Sequence, residues 1–312
     1  GRALAERLDK RLPDQQAYGE AWEVSDHPRH ASVSRCGPTR GRSLRSLMEH
    51  HATEIVGGKG AERFPWLLKW LDCHDWLSVQ VHPDAEKVVT LWPGEGPKNE
   101  AWFIVETRPG AKVWSGLLPG VTARQLRETA AAGTIAECLH SFEPKPGDCL
   151  YLSAGTVHAV GGGVLMAEIQ QTSDATFRLF DWNRKDASGQ GRQLHLEESI
   201  ACIDWSRGPV NPVRPANFGA DSNPGSIDRM INCPFFHLSH VAGSTPVDLP
   251  VPEVLGAVFA LSGHGTLRGA SRGEPLKAGD TAILPARGGP WTWVPEGPSS
   301  LLLATATGQG DS

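Results

Sequence analysis

The chain has 312 residues, of which 39% are hydrophobic and 21% charged, enough apolar material for a sizeable buried core. Its formal charge of −5 comes without any Lys/Arg tract, which argues against the concentrated basic face that nucleic-acid binding requires. No run approaches about 18 consecutive apolar residues and the start carries no apolar export signal, so neither a membrane span nor export is expected. The six scattered cysteines, with no CxxC pair, read as reduced thiols of a cytoplasmic protein.

Gly1 to Lys10 is a charged, helix-like segment, and its abrupt beginning reads as if a few residues preceded it. The 35 Gly and 24 Pro punctuate short apolar runs, which predicts a mainly β protein built of short strands and tight turns. Residues 18–25 are strand-like, and 43–55 predict a helix stopped by Gly57-Gly58. Residues 65–105 are rich in strand signals. Within them Leu77-Ser-Val-Gln-Val-His-Pro83 alternates in period two, so Ser78, Gln80 and His82 share one face. Thr122-x-x-Gln125 is a capping-box signature opening a helix over 123–132 that Gly133 terminates, with a second short helix around 135–140; together they form a helical insertion at about 121–140. Strands resume at 148–152, 164–171 and 176–180. A Pro/Asn/Gly/Ser-rich stretch at 205–226 reads as a linker, and strands at 235–241, 254–261, 281–284, 291–294 and 301–304 follow it.

The expected organisation is therefore a preamble plus barrel over 1–204, a linker at 205–226 and a second β domain over 227–312. The two halves share an echo. Lys145-Pro-Gly-Asp148 precedes one strand and Lys277-Ala-Gly-Asp280 another, each a tight turn feeding a strand that ends in a small-residue corner. The first corner leads to His158; the corresponding stretch of the second, Arg287 to Trp291, carries no His. A duplicated barrel with a metal site in the first half alone is the expectation.

Gln80, His82, Glu100 and His158 form the strongest constellation. Gln80 and His82 aim an amide and an imidazole at one point, Glu100 opens another apolar strand, and Gly155 lets the backbone turn so that His158 can point inward. Imidazole and carboxylate are ordinary zinc ligands. His27, His30, His50, His51, His74, His140, His195, His237, His240 and His264 have no comparable company and read as structural or solvated.

Gly147-Asp-Cys-Leu-Tyr-Leu-Ser-Ala-Gly-Thr-Val-His158 resembles the second cupin signature, with Ser153 where Pro is usual. More specifically, the chain resembles the short form of type I phosphomannose isomerases over nearly its whole length. The resemblance rests on Gly19-Glu-Ala-Trp-Glu-Val-Ser-Asp-His-Pro28, Phe64-Pro-Trp-Leu-Leu-Lys-Trp-Leu-Asp72, Leu77-Ser-Val-Gln-Val-His-Pro-Asp84, Lys98-Asn-Glu-Ala-Trp102, Ala154-Gly-Thr-Val-His-Ala159 and the run from Glu168 to Trp182. It departs at Ala85, where the family often has a second Asp.

The resemblance implies two cupin-type (jelly-roll) β-barrel halves and one zinc ion per chain, bound by Gln80, His82, Glu100 and His158, with Arg178 catalytic. The implied reaction interconverts mannose 6-phosphate and fructose 6-phosphate through an enediol. Beside it, the residues suggest further roles: Arg178 as a planar cation for an enediolate oxygen or phosphate, Lys98 as a charge toward the substrate, and Ser78 as a phosphate or hydroxyl contact, or else a packing residue. Glu168 is the first candidate for proton transfer, or else a structural partner of Arg178. Arg184 and Lys185 either neutralise substrate phosphate or belong to a solvated charge run. The expected partner is a phosphosugar, with no nucleic acid or membrane, and the chain is expected to be a monomer or weak homo-oligomer. Two other readings are a different metal-dependent cupin enzyme, such as a dioxygenase, and a catalytically silent sugar-binding cupin.

Overall fold

The computed structural model describes residues 1–58, 61–186, 188–216, 218–219 and 225–307. The linker expected at 205–226 lies partly outside the described residues. Strands dominate, as the Gly and Pro punctuation predicts.

The chain packs as two compact units, Gly1 with Leu71–Pro212, and Arg2–Trp70 with Val213–Ser312. Residues 2–70 thus cluster with the C-terminal strands, whereas the sequence grouped them with the first barrel. The physical reason lies in their bonds. Lys10 Nζ donates to the Gly279 carbonyl, Trp70 Nε1 donates to the same oxygen at 3.0 Å, and the Ile55 carbonyl accepts from Ala286 N–H at 2.9 Å. The helix Leu44–Val56, capped by Ser43, buries Leu44, Leu47, Met48 and Ile55. A segment this short cannot bury such a face on itself and must borrow a core.

In the first unit one sheet sets Val164–Gln171 beside Glu100–Thr107 beside Cys149–Leu152. The other runs Phe177–Phe180, Val79–Val81, His158–Val160, Val113–Leu117, Leu139–Phe142. The second unit repeats this order. His237–Gly243, Ser299–Thr305, Gly256–Ser262 and Thr281–Leu284 form one sheet with Ser226–Asn232 at its edge, and Val247–Leu249, Trp291–Pro295, His264–Arg268 and Gly273–Lys277 form the other. The echoed turns are also alike in detail. Gly147 and Gly279 have φ of 89° and 91°, a left-handed conformation that suits glycine, and Asp148 and Asp280 each accept the backbone N–H of the lysine three residues earlier.

The two units differ where corresponding strands open. Glu100 opens its strand opposite Leu152, and Gly256 opens its strand opposite Leu284. His158 opens its strand opposite Gln80, and Trp291 opens its strand opposite Leu249. The positions held by Glu100, His158 and Gln80 in one unit are therefore held by Gly, Trp and Leu in the other.

The capping box at Thr122 forms, and Gly133 ends its helix at φ 77°. The second helix expected at 135–140 is shorter, a single 3-10 turn at Ile135–Cys138, and His140 lies in the strand Leu139–Phe142. Two helices lacked a readable apolar period. Ala85–Leu91 is nucleated by the Asp84 carboxylate, which accepts from Glu86 and Lys87 N–H, and Leu196–Cys202 packs on the strand Phe177–Phe180.

Candidate metal centre

The two sheets of the first unit deliver the ligand candidates from opposite sides. Directly opposed residues of an antiparallel pair point to the same face. Arg178, Gln80, His158 and Ser115 form one such row across the second sheet, each the register partner of the next. On the first sheet Glu100 opposes Gln170 and Trp102 opposes Glu168. Alternation puts all four on one face, and the Trp102 ring meets His158 edge-on at 5.3 Å, which identifies that face as interior.

His82, Glu100 and His158 bring one ligand atom each within 4.8 Å of one another, and all three are buried. His82 Nε2 lies 3.3 Å from one Glu100 oxygen and His158 Nε2 lies 3.2 Å from the other. The opposite ring nitrogens are engaged by carbonyls: Ala175 O lies 2.9 Å from His82 Nδ1, and Thr156 O lies 2.8 Å from His158 Nδ1. A carbonyl only accepts, so each Nδ1 carries the proton and each Nε2 presents its lone pair to the centre. Burial, followed by the nearby Lys98 ammonium, pushes the His82 pKa down to about 3, which keeps the ring neutral as a ligand must be. Burial would raise Glu100, but the Lys98 ammonium, with the two adjoining imidazoles, acts against it and the carboxyl lies well below its usual range.

The donor chemistry fits a cation. His82 Nε2 and Glu100 Oε1 are buried without a hydrogen-bond partner, and Glu100 Oε2 has the Lys98 ammonium beside it at 3.0 Å. Lone pairs turned toward one another in a low-dielectric interior are costly unless a positive charge joins them. Two imidazoles and a carboxylate suit zinc, and Gln80 stands beside them. Its amide nitrogen is 3.2 Å from His158 Nε2 and its oxygen accepts from the Ser78 hydroxyl at 3.4 Å, so a half-turn of the amide brings the oxygen to the centre.

Ser78 and Lys98 are buried; the Lys98 ammonium sits 3.0 Å from Glu100 Oε2. Glu168 is buried and accepts from Trp102 Nε1 at 2.8 Å. Arg178 is half-buried, with Nη1 donating to the Gln193 carbonyl at 2.9 Å. Desolvation, with Arg192 and Arg184 nearby, lowers its pKa although Asp181 opposes them.

Next to it, Arg184 and Arg192 both converge on Asp181, beside a cavity of about 200 Å³ lined by these three with Lys185, Asn183 and Leu194. Sequence reasoning reached Arg184 and Lys185 but missed Arg192, which lies in no motif. It also missed Asn99 and Gln170, although both stand within quoted runs next to or near candidate residues.

Comparison with known proteins follows the same lines. Residues 1–99 match the family model "Phosphomannose isomerase type I, catalytic domain". The chain is 34% identical over 287 residues to the mannose-6-phosphate isomerase of Streptococcus mutans and 35% identical over 287 residues to the ManA isomerase of Bacillus subtilis, covering 91% of this chain and 88% of each relative. The crystal structure of mannose 6-phosphate isomerase from Bacillus subtilis superposes with a TM-score of 0.84 at 29% identity, over 97% of this chain and 94% of that one. With this similarity spanning both units, the chain belongs to the type I phosphomannose isomerase family.

Proposed function

We propose that this chain interconverts mannose 6-phosphate and fructose 6-phosphate through an enediol, with one zinc ion held by Gln80, His82, Glu100 and His158. The observation that carries this reading is the buried convergence of two imidazole Nε2 atoms on the two oxygens of Glu100. It agrees with the names of the relatives and with a more distant structure described as zinc-bound mannose 6-phosphate isomerase. Zinc, when bound there, supplies a Lewis acid toward the sugar's carbonyl and hydroxyl oxygens.

The chain's own residues supply the rest. Moving a proton between C2 and C1 requires a base on the interior face; Glu168, which shares that face with Glu100 and accepts from the Trp102 indole, takes that role. Arg178, the register partner of Gln80, offers a planar cation for the oxygen that becomes negative. Lys98 adds a buried positive charge beside Glu100, and the Ser78 hydroxyl orients Gln80 or a sugar hydroxyl. Arg184, Lys185 and Arg192 around their cavity give the phosphate an excess of positive charge over the single Asp181. The enzyme acts as a cytoplasmic monomer or weak homo-oligomer without nucleic-acid or membrane partners. No described helix is long and apolar enough to cross a membrane.

The test is a coupled assay for fructose 6-phosphate formed from mannose 6-phosphate, before chelation, after chelation and after zinc is restored. Activity that chelation abolishes and zinc restores is the expected result. A folded, fully metallated protein without activity overturns the reading and leaves another metal-dependent cupin enzyme or a silent sugar binder.

A further inference from the structure

The backbone ladder joining Val164–Gln171, Glu100–Thr107 and Cys149–Leu152 reaches its end at Glu100, which opposes Gln170 on one side and Leu152 on the other. One residue earlier, the side chain of Asn99 takes over the pairing in both directions. Toward the first neighbour, Asn99 Nδ2 donates to Gln171 Oε1 at 2.7 Å; that oxygen also accepts the Asn99 backbone N–H at 3.2 Å, and Gln171 N–H donates to the Asn99 carbonyl at 3.1 Å. Toward the second, Asn99 Oδ1 accepts from Ala154 N–H at 2.9 Å and from the Tyr151 hydroxyl at 3.1 Å. A backbone N–H can only donate, so the oxygens of both amides are fixed in place. Neither side chain can turn over without setting N–H against N–H.

The groups tied together are those that orient the proposed ligands. Asn99 lies between Lys98 and Glu100, whose side chains pair at 3.0 Å. Two residues beyond Ala154 is Thr156, whose carbonyl takes His158 Nδ1. Four residues beyond Gln171 is Ala175, whose carbonyl takes His82 Nδ1. Gln170 fastens this second path, with Nε2 donating to both the Gln171 and Ser173 carbonyls. Asn99 is 5% exposed, so water does not compete for these bonds.

We infer that Asn99 is a positioning residue for the metal centre: its amide locks the start of the Glu100 strand to the two loops whose carbonyls orient His158 and His82. The inference rests on the proposed role of His82, Glu100 and His158 as metal ligands. It makes the three ligands one geometric unit rather than three independently placed side chains. A network of this kind acts on how tightly and in what symmetry a metal is held.

Full-length Asn99→Asp and Asn99→Ala proteins test it, prepared metal-free and titrated with zinc against a chromophoric chelator. Asn99→Asp is the sharper change, because it keeps size and acceptors while replacing the Nδ2 donor by an oxygen facing Gln171 Oε1. Both are expected to bind zinc about 10–100-fold more weakly than the unaltered chain. Their cobalt-loaded forms are expected to show altered ligand-field bands with an unchanged far-ultraviolet dichroism spectrum, a signature that mere loss of stability does not give. Wild-type zinc affinity together with an unshifted cobalt spectrum overturns the inference. If the Asn99 variants do not fold, Tyr151→Phe and Gln171→Met each remove one arm of the network and are expected to weaken zinc binding severalfold; parental affinity in both overturns it equally. Failure of the unaltered chain to bind zinc, or binding that survives His82→Ala and His158→Ala, refutes the metal-centre reading itself. A zinc-binding chain indifferent to Asn99 refutes the positioning role alone.

Discussion

His158 stands directly across the sheet from Gln80, its Nε2 3.2 Å from the Gln80 amide, while Thr156 O holds its Nδ1 proton. In the proposed ligand set Gln80 is the most replaceable member, since an amide oxygen is a poorer zinc donor than an imidazole nitrogen or a carboxylate. Gln80→Ala is expected to lower zinc affinity roughly 10–100-fold, the scale on which supporting groups act. His158→Ala is expected to abolish stoichiometric zinc uptake. Elemental analysis after dialysis against a weak chelator checks both, and equal retention by the two variants contradicts the assignment.

Glu168, the proposed base for proton transfer, accepts a hydrogen bond from the Trp102 indole. Glu168→Gln preserves shape and the hydrogen bond to Trp102 but removes the base, so kcat is expected to fall about 10²–10⁴-fold with zinc content unchanged. Steady-state kinetics on metal-assayed protein decides. A loss below about threefold assigns Glu168 to holding Trp102 instead.

Asp181 is the shared anchor of Arg184 and Arg192. Burial works to raise its pKa, but the two guanidinium groups outweigh it and hold the carboxyl below its ordinary value. Asp181→Asn releases both cations from a fixed geometry. The expected outcome is a KM for mannose 6-phosphate about tenfold higher with kcat nearly intact, and weaker inhibition by inorganic phosphate. An unchanged KM removes this cavity from phosphate recognition.

His240, in the second unit, is buried opposite Asp228, and desolvation pushes its pKa down to about 4 even though Asp228 works to raise it. The folded state therefore binds this proton less readily than the unfolded chain, where histidine titrates near about 6.5. The stabilising difference is complete above the unfolded pKa and is lost as pH falls from about 6.5 toward 4, amounting to on the order of 2–3 kcal/mol. Urea midpoints of metal-free protein measured across that window are expected to fall with acidification, and less steeply in His240→Phe. Parallel curves contradict the prediction.

Much of the site could be read in the sequence because its geometry is local. The alternation through Ser78, Gln80 and His82 and the glycine corner before His158 are short-range instructions, and the capping box at Thr122 is another. What could not be read depends on contacts between distant segments. Asn99 owes its importance to Gln171 and Ala154, partners that no spacing in the chain announces. The strands His264–Arg268 and Gly273–Lys277 escaped notice because their apolar residues are sparse and Pro275 interrupts one of them. Proline is tolerated there because that strand lies at a sheet edge, where a ladder donor is dispensable. The grouping of residues 2–70 was invisible for a similar reason, since it rests on carbonyls at Gly279 and Ile55 rather than on any pattern.

The substitution of Gly256, Trp291 and Leu249 for Glu100, His158 and Gln80 closes a door behind the second unit. A side chain at 256 would begin 2.9 Å from Val251 Cγ1 and 3.2 Å from Leu284 Cβ, so a carboxylate can return only after its neighbours are recut. A glutamine restored at 249 alone would meet an apolar interior without its partners, at a cost of about 1–3 kcal/mol. Each step back is harmful until all have been taken. A single such change therefore lowers the stability of this unit without giving it a set of ligands.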